Sequence, residues 1–307
     1  MIRNLQHIGL TVPDLEVGRA FYELFGLEAR ADGDDLVFRC AGRAQDQVRL
    51  IPGAKKRLAY VSYGTNAQGM DVLLERLQQA GVALADAPYR VPFGGIWFQD
   101  PHGDWINVQV ADDAPARTVA TPEINTSGRY RRIGTRACDF ATPGKRAVPL
   151  RLGHLIKFTP DVDSSVDFYT NVLGLKVSDR AADILAFLRG SAGGDHHLIG
   201  LAKSSHTGLH HMSFEVADID EIEMGAQALL RAGYRDGFGF GRHLGGSNYF
   251  HYIRDPWGSL VEYFWDIDVI PEDDSEWVAL NGMEHLGMVW STTPAPPDFI
   301  QNFEPAD

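Results

Sequence analysis

Histidines are concentrated in one stretch of this sequence. The chain has eleven histidines, and five of them lie between His196 and His211. The last two, His210 and His211, open an alternating apolar run that is typical of a half-buried strand. A single histidine on a strand is usually a buried structural residue. This density instead predicts a site for metal binding or for proton transfer.

The stretch belongs to the second copy of an internal repeat with a period of about 150 residues. Each copy starts with a histidine on a short predicted strand, His7 or His154, and Pro-Asp follows six and seven residues later. Each copy ends in an Asp-Pro-x-Gly turn, which begins at Asp100 or at Asp255 and joins two predicted strands. Each half therefore predicts the order β-α-β-β-β.

Local signals place helices between these strands. Asp14 and Asp163 are predicted to cap the first helix of each half. Amphipathic helices follow at about Met70–Ala80 and Ile219–Ala232, and a glycine follows each of them. Strands and helices in this order predict an α+β fold with two modules.

The two copies differ at three matched positions. The second copy has His154, His211 and Glu262, whereas the first copy has His7, Tyr60 and Asn107. Matched strands of one unit bring such residues to the same concave sheet. Two imidazoles and one carboxylate on one face form the ligand set of non-haem Fe(II) enzymes, with open positions for substrate and O₂.

The second copy also carries a set of motifs. It resembles the type I extradiol catechol dioxygenases of the vicinal oxygen chelate superfamily, and the resemblance covers the chain to about Asp268. The motifs are His197-Leu198-Ile199-Gly200-Leu201, Leu209-His210-His211, Gly241-Arg242-His243 and the run from Ser247 through Asp255-Pro256 to Glu262.

The resemblance implies two tandem modules, each built of paired βαβββ units that form a curved mixed sheet around a cavity. We expect an N-terminal module without a metal site at 1–117 and a linker at 118–149. After the linker we expect a catalytic module at 150–270 and then a tail at 271–307, which covers the active site. The implied cofactor is Fe(II), and Mn(II) accepts the same ligands.

The resemblance also assigns roles. The implied metal ligands are His154, His211 and Glu262. Of the two adjacent histidines, the motif assigns the ligand to His211 and not to His210. The dioxygen-side histidine lies fourteen or fifteen residues before the second ligand, at His197 or His196, and the motif favours His197. His243 and Tyr252 would bond the substrate oxygens.

Further residues are predicted to bind or enclose substrate. The substrate-binding candidates are His196, His210, Asn248, Arg242 and Phe187. Apolar neighbours suit a neutral or alkylated catechol, whereas Arg242 and Arg254 are the candidates for holding a ring carboxylate. The residues expected to surround the pocket are Phe187, Leu244, Phe250 and Trp257, with Trp277, His285, Trp290 and Phe299 of the tail.

The function implied is extradiol cleavage of a catechol by O₂, which gives a hydroxymuconic semialdehyde-type product. Two alternatives stay open at this point. A glyoxalase-like lyase or isomerase would share the fold, but such chemistry uses a different ligand set built across two modules. A non-catalytic protein that binds small molecules would need neither the triad nor its histidine neighbours.

Composition limits the partners. The chain has 307 residues, a formal net charge of −13 and a pI of about 5.2, which argues against nucleic acid and anionic membranes as partners. Its N-terminal stretch and the rest of the chain show no long apolar run, so no signal peptide or membrane span is expected. Two cysteines suggest a reducing cytoplasm. Members of the resembled family imply a homo-oligomer.

Overall fold

The first half of the chain forms a seven-stranded mixed sheet with two helices. A computed structural model describes residues 1–138, 142, 145–283 and 287–306. The elements of the first half are β1 (Asn4–Val12), α1 (Leu15–Phe25), β2 (Glu28–Asp32), β3 (Asp35–Arg39), β4 (Val48–Pro52), β5 (Arg57–Thr65), α2 (Ala67–Gln79), β6 (Ile96–Gln99) and β7 (Trp105–Val110). The sheet order is β2-β3-β4-β1-β5-β7-β6.

The second half repeats this arrangement and extends it. Its elements are β8 (Arg151–Thr159), α3 (Val162–Asn171), β9 (Lys176–Ala181), β10 (Leu185–Arg189), β11 (Gly194–Asp195), β12 (Ile199–Lys203), β13 (Gly208–Glu215), α4 (Ile219–Arg231), β14 (Asp236–His243), β15 (Tyr249–Arg254), β16 (Leu260–Trp265), β17 (Val269–Ile270) and β18 (Met288–Ser291). The main sheet order is β18-β14-β15-β16-β13-β8-β12-β10-β9.

The two sheet orders are the same over seven strands. Strands β9-β10-β12-β8-β13-β16-β15 take the places of β2-β3-β4-β1-β5-β7-β6. The second half contains two βαβββ units, and the first half contains one such unit followed by a βαββ unit, β5-α2-β6-β7, which is one strand shorter than predicted. In each half the first strands of the two units pair antiparallel, β1 with β5 and β8 with β13. The predicted α+β fold of two tandem modules with curved mixed sheets is confirmed.

Helix boundaries follow the capping chemistry, with one correction. The side chain of Asp14 accepts hydrogen bonds from the first turn of α1, as predicted. The prediction of Asp163 as the cap of α3 was wrong, because Asp161 has the extended backbone and accepts from the Ser164 N–H. Asp161 is also the residue that the repeat aligns with Asp14. Helix α2 starts three residues earlier than predicted, because Asn66 caps it.

The two repeat histidines lie inside their strands. His7 and His154 are each the fourth residue of β1 and β8, although the sequence placed them at the strand starts. An interior position puts each imidazole over the middle of its sheet rather than at an edge. The described residues between β7 and β8 form no α-helix and no strand beyond one isolated bridge. The described part of the tail contains strand β18 and no α-helix.

Aromatic and charged contacts join the two modules. The Phe25 ring of α1 stacks on Tyr263 of β16 at 4.0 Å between centroids, and the Tyr263 hydroxyl donates to the Phe25 carbonyl. Lys157 of β8 is fully buried and donates to Asp100 at 2.5 Å, and it also pairs with Asp104. One module thus supplies a cation to a turn of the other. In the part of the chain that the structure describes, no helix is long and apolar enough to cross a membrane.

Candidate metal centre and active site

The register of the second sheet places two of the predicted ligands in one row and the third on the same face beside it. Ser213 of β13 lies opposite His154 on β8 and opposite Glu262 on β16. His211 lies two residues before Ser213 and therefore faces the same side of the sheet. Glu262 in turn lies opposite Tyr252 on β15. Three adjacent central strands thus carry the two imidazoles and the carboxylate to one face.

The three side chains meet below the surface. Glu262 Oε2 lies 3.1 Å from His154 Nε2 and 3.5 Å from His211 Nε2, and all three residues are buried. Among the described residues, this trio is the cluster of metal-ligating types with its donor atoms within 4.8 Å of one another. Donors that are adjacent on a divalent cation with bonds of about 2.1 Å lie about 3 Å apart. The separations fit such an ion.

Hydrogen bonds at Nδ1 leave the Nε2 atom of His211 available to bind a cation. The preceding residue, His210, donates from Nε2 to the Phe299 carbonyl at 2.8 Å, because a carbonyl only accepts. His210 Nδ1 must then accept from His211 Nδ1, which lies 2.7 Å away. His211 Nε2 is left without a proton, and it is buried with no hydrogen-bond partner among the described residues. An unprotonated buried nitrogen beside a carboxylate fits a metal ion.

A largely apolar cavity of about 130 Å³ opens over these ligands. Its polar lining is mostly imidazole, and the tail supplies three lining residues, Met288, Phe299 and Ile300. The complete lining is His154, Ile156, Leu185, Phe187, His197, Ala202, His210, His211, His243, Gly245, Asn248, Tyr252, Met288, Phe299 and Ile300. The shape suits a small aromatic ligand that presents polar atoms to the metal.

His197 lies on one side of this cavity. Its ring is 4.2 Å from that of His154 between centroids, and Phe187 packs against it at 4.6 Å. Burial, together with the neighbouring imidazoles, lowers the pKa of His197 well below its ordinary value. The ring is therefore neutral at physiological pH and able to accept a proton. His196, the other candidate for this position, lies behind His197 and outside the lining.

His243 and Tyr252 form a pair on another side. His243 Nε2 lies 2.9 Å from the Tyr252 hydroxyl and 3.8 Å from Glu262 Oε1. Burial lowers the pKa of His243 to about 4, and burial followed by the charge of Glu262 raises the pKa of Tyr252 well above its usual range. Both groups are therefore neutral at pH 7, and each offers a hydrogen bond to a ligand oxygen.

The predicted substrate-binding residues divide into two groups. Phe187, Asn248 and His210 line the cavity, and Asn248 also donates to Glu262 Oε1 at 3.3 Å. Arg242 lies outside the lining, because its guanidinium is bonded to the Ser247 carbonyl, the Tyr249 hydroxyl and Asp266.

The remaining predicted surroundings are also divided. Arg254 is bonded to the Gly258 carbonyl and to Asp298, so neither arginine that was considered for a ring carboxylate reaches the cavity. Leu244 and Trp257 lie outside the lining as well, and Phe250 stacks behind His243 at 4.0 Å.

The predicted tail residues are also divided between those that line the cavity and those that lie outside it. Phe299 lines the cavity, whereas Trp277 packs on the His196 ring at 5.5 Å and Trp290 packs on Phe240 at 5.3 Å. His285 lies outside the described residues. Contacts of the tail with both histidine pairs, at Trp277 and at Phe299, connect it directly to the site.

Sequence reasoning missed several residues of this site. Ser213 lies at the centre of the ligand row, and its alternation with His211 on β13 was the available signal. Asp179 on β9 accepts from His196, but nothing in the sequence pairs β9 with a site seventeen residues away. The apolar lining residues Ile156, Leu185 and Ala202 read only as core positions of their strands.

Comparison with known proteins identifies the family to which this chain belongs. The model of the family described as Glyoxalase/Bleomycin resistance protein/Dioxygenase superfamily matches residues 4–108 and 151–263, one match for each module. Metapyrocatechase 2 of Cupriavidus necator is 37% identical over 276 residues, which cover 88% of this chain and 83% of that protein. An iron-dependent extradiol dioxygenase of Rhodococcus jostii is 24% identical over 91% of this chain and 93% of that protein.

Solved structures share the architecture. The Mn(II)-bound glyoxalase from Novosphingobium aromaticivorans superimposes with a TM-score of 0.78 at 24% identity, over 98% of this chain and 94% of that chain. This likeness extends the shared fold across both modules. The chain therefore belongs to the glyoxalase/bleomycin resistance protein/dioxygenase superfamily and, within it, to the extradiol catechol dioxygenases.

Proposed function

We infer that this protein is an extradiol dioxygenase that opens a catechol ring with O₂ in the degradation of aromatic compounds. One observation carries the inference: a buried His-His-Glu trio lies at the base of an apolar cavity that is also lined by His197, His243 and Tyr252. The sequence relationship to metapyrocatechase 2 supports the same reaction. The glyoxalase-like alternative is not favoured, because His7, Tyr60 and Asn107 of the first module provide no matching ligand set.

The proposed ligands are His154, His211 and Glu262, and the metal is Fe(II). The iron-dependent extradiol dioxygenase of Rhodococcus jostii supports iron, and the same nitrogen and carboxylate set accepts Mn(II). A metal held by these three residues would supply Lewis-acid and redox chemistry to a catechol and O₂. Asn248, through its bond to Glu262 Oε1, orients the carboxylate for this role.

The protein groups around the cavity hold and move protons. His197 Nε2 is proposed to exchange a proton with the reacting oxygens, because the ring is neutral and lines the cavity beside His154. The Tyr252 hydroxyl and His243 Nε2 are proposed to bond the substrate oxygens. His210 fixes the tautomer of His211 through its hydrogen bonds, and it is proposed to contact the substrate because it lines the cavity.

The substrate class is proposed to be a neutral catechol, either unsubstituted or alkylated. The described lining has no Lys or Arg side chain, and Phe187, Ile156, Leu185 and Phe299 give it an apolar surface. A ring carboxylate would lose its hydration there without gaining a cationic partner, and this penalty disfavours acidic catechols.

We propose a division of labour along the chain. Residues 1–117 form a scaffold module, 118–149 link the modules and 150–270 carry out catalysis. The tail at 271–307 excludes water from the cavity, which protects reactive oxygen chemistry. The lining residues Met288, Phe299 and Ile300 support this role for the tail.

We also propose that the chain forms a homo-oligomer and acts in the cytoplasm. Large apolar side chains lie exposed before and within the linker, among them Val110, Ile124, Tyr130 and Ile133. Both cysteines are free thiols, Cys40 buried and Cys138 exposed, which suits a reducing compartment. Light scattering after size-exclusion chromatography tests the assembly, and a monomer at micromolar concentration would contradict it.

The experiment that tests the activity is oxygen uptake after anaerobic reconstitution with Fe(II). The substrates are catechol, 3-methylcatechol, 4-methylcatechol, 2,3-dihydroxybiphenyl and a carboxylated catechol. We expect equimolar consumption of O₂ and diol with a yellow ring-opened product, and the carboxylated catechol should be the poorest substrate. Binding of catechols without oxygen uptake would instead indicate a sequestering protein.

A further inference from the structure

A buried chain of hydrogen bonds runs from His197 away from the cavity. His197 Nδ1 lies 3.0 Å from His196 Nδ1, and His196 Nε2 lies 2.9 Å from Asp179 Oδ2. All three residues are at most 3% exposed. Asp179 lies on β9 directly opposite Phe187, so the chain passes behind the rim of the cavity.

The carboxylate determines where each proton of this chain lies. An ionised carboxylate only accepts hydrogen bonds, so His196 carries its proton on Nε2 and donates it to Asp179. His196 Nδ1 is then an acceptor, and His197 must carry its proton on Nδ1. Because His197 lines the cavity, the nitrogen that it offers to a ligand is the unprotonated Nε2.

We propose that Asp179 is a positioning residue, which acts through His196 to hold His197 in the tautomer whose Nε2 accepts a proton from the substrate hydroxyl. This inference rests on the proposed function. In the step, the O–H bond of the substrate breaks and an N–H bond forms at His197 Nε2. The imidazolium charge is stabilised by the Asp179 carboxylate through His196, as the buried carboxylate of a catalytic triad stabilises its histidine.

The other histidine pair shows what is specific to Asp179. His210 and His211 have the same Nδ1-to-Nδ1 contact, but their chain ends on the neutral Phe299 carbonyl. A metal ligand needs only a fixed tautomer, which a carbonyl provides. A histidine that accepts a proton becomes positively charged, and the negative charge of a carboxylate at the end of the chain stabilises that form.

The tail fixes the carboxylate itself. Asp179 Oδ1 accepts from the Leu280 N–H at 2.8 Å, and Trp277 packs on the His196 ring. In the variant Asp179→Asn, the Leu280 N–H should donate to the new amide oxygen as it does to Oδ1 in the wild type. The introduced NH₂ group would then face His196 Nε2. That nitrogen must then accept, so both imidazoles reverse, and His197 presents a protonated Nε2 to the cavity.

The first test is the tautomer of His197 in the metal-free protein, measured by ¹⁵N–¹H correlation of the histidine rings. We expect the Nδ1–H form in the wild type and the Nε2–H form in Asp179→Asn. Asp183→Asn is the matched control, because Asp183 is exposed in the turn between β9 and β10 and pairs with Lys203 of β12, and the spectrum of this variant should match the wild type. An Nε2–H form in the wild type would overturn the proposal, whatever the variant does.

The second test is turnover of catechol by Fe(II)-loaded Asp179→Asn. We expect kcat to fall roughly 100-fold, the lower range for loss of a general base, while metal content and KM stay close to wild type. Unchanged kcat would refute the positioning role. If the wild type itself consumes no O₂ with any catechol, the proposed function fails, and the tautomer measurement still decides whether Asp179 orients His197.

Discussion

The same row of sheet positions contains two of the three proposed metal ligands, His154 and Glu262, in the second module, whereas the first module has no such pair. In the second module, Tyr252, Glu262, Ser213 and His154 follow one another across four strands. The first module has Trp97, Asn107, Ser62 and His7 at the equivalent places. Backbone register is thus shared, and the central serine is retained, while the chemistry of the row differs.

The first module fills the space that the second leaves open. The His7 ring packs edge-on against Phe93 at 4.4 Å and Tyr60 at 5.5 Å, and Trp97 packs on Tyr60 at 5.2 Å. A Cβ at Gly9 would lie 2.2 Å from the Tyr60 ring, whereas the matching Ile156 lines the cavity.

Charge also distinguishes the two rows. Burial and the charge of Arg49 lower the pKa of His7 to about 3. Asn107 is a neutral amide that accepts from the Ser62 hydroxyl at 2.7 Å and donates to backbone carbonyls. One fold therefore gives either a packed core or an active site, depending on whether the row faces aromatic rings or a cavity.

The largest expected effect comes from removing the carboxylate of the second row. Glu262→Ala should release the metal and bring catechol turnover below detection, because two imidazoles alone retain the ion poorly. Metal analysis after gel filtration and oxygen uptake measure both effects. The matched change in the first row, Asn107→Ala, should keep both metal and activity. Loss of metal in that variant would show that the first module contributes to the site.

Breaking the contact between the modules should give the next largest effect. Lys157→Met leaves the buried Asp100 and the half-buried Asp104 without their cation, and we expect a loss of about 3–5 kcal/mol in the free energy of unfolding. Urea denaturation measures it. Lys203→Met, which breaks an exposed pair with Asp183, is the control and should leave the free energy of unfolding nearly unchanged, because solvent screens the pair. Equal losses would mean that burial of the interface pair adds nothing.

Restoring ligand types to the first row should not create a second site. In Tyr60→His/Asn107→Glu, the aromatic packing around His7 still occupies the space for an ion, and the new carboxylate lacks the partners of Asn107. We expect no additional metal per chain and a loss of about 2–4 kcal/mol in stability. Binding of a second equivalent would show that residue identity alone separates the modules.

The smallest expected effect concerns pH and a residue found only in the second module. His251 of β15 is buried between Glu223 and Asp236, at 2.5 and 3.2 Å, whereas the matching residue of β6 is Ile96. Burial acts to lower the pKa of His251, but the hydrogen bonds and charges of the two carboxylates outweigh it and raise the pKa to about 9.

The folded-state pKa of His251 lies above the unfolded value of about 6.5. Its contribution to stability is therefore complete below pH 6.5 and is lost as the pH rises through 9. We expect a change of about 1 kcal/mol, since both carboxylates are partly exposed and screened. His251→Gln should flatten this part of the stability curve in thermal unfolding measured from pH 6 to 10. A wild-type curve without a decline above pH 8 would contradict the assignment.

Much of the fold was predictable because its signals are local and occur twice. The matched His-to-Pro-Asp spacing and the Asp-Pro-x-Gly turns identified two α+β modules, and strand alternation placed His211 on an inward face. The cap of α3 was missed by two residues, although the repeat itself aligned Asp161 with Asp14. Arg242 and Arg254 looked available in the sequence, but carbonyls, Tyr249, Asp266 and Asp298 occupy their guanidinium groups.

The sequence by itself determined the module count, the difference between the two copies and the residue types available to a metal, because periodicity and spacing encode these features along the chain. Only the tertiary structure decided which histidine nitrogen faces the site. That choice depends on Asp179, Phe299 and Leu280, which approach the histidine pairs from distant segments of the chain. A proton on an imidazole is placed by its hydrogen-bond partner in space, and no local pattern of residues specifies that partner.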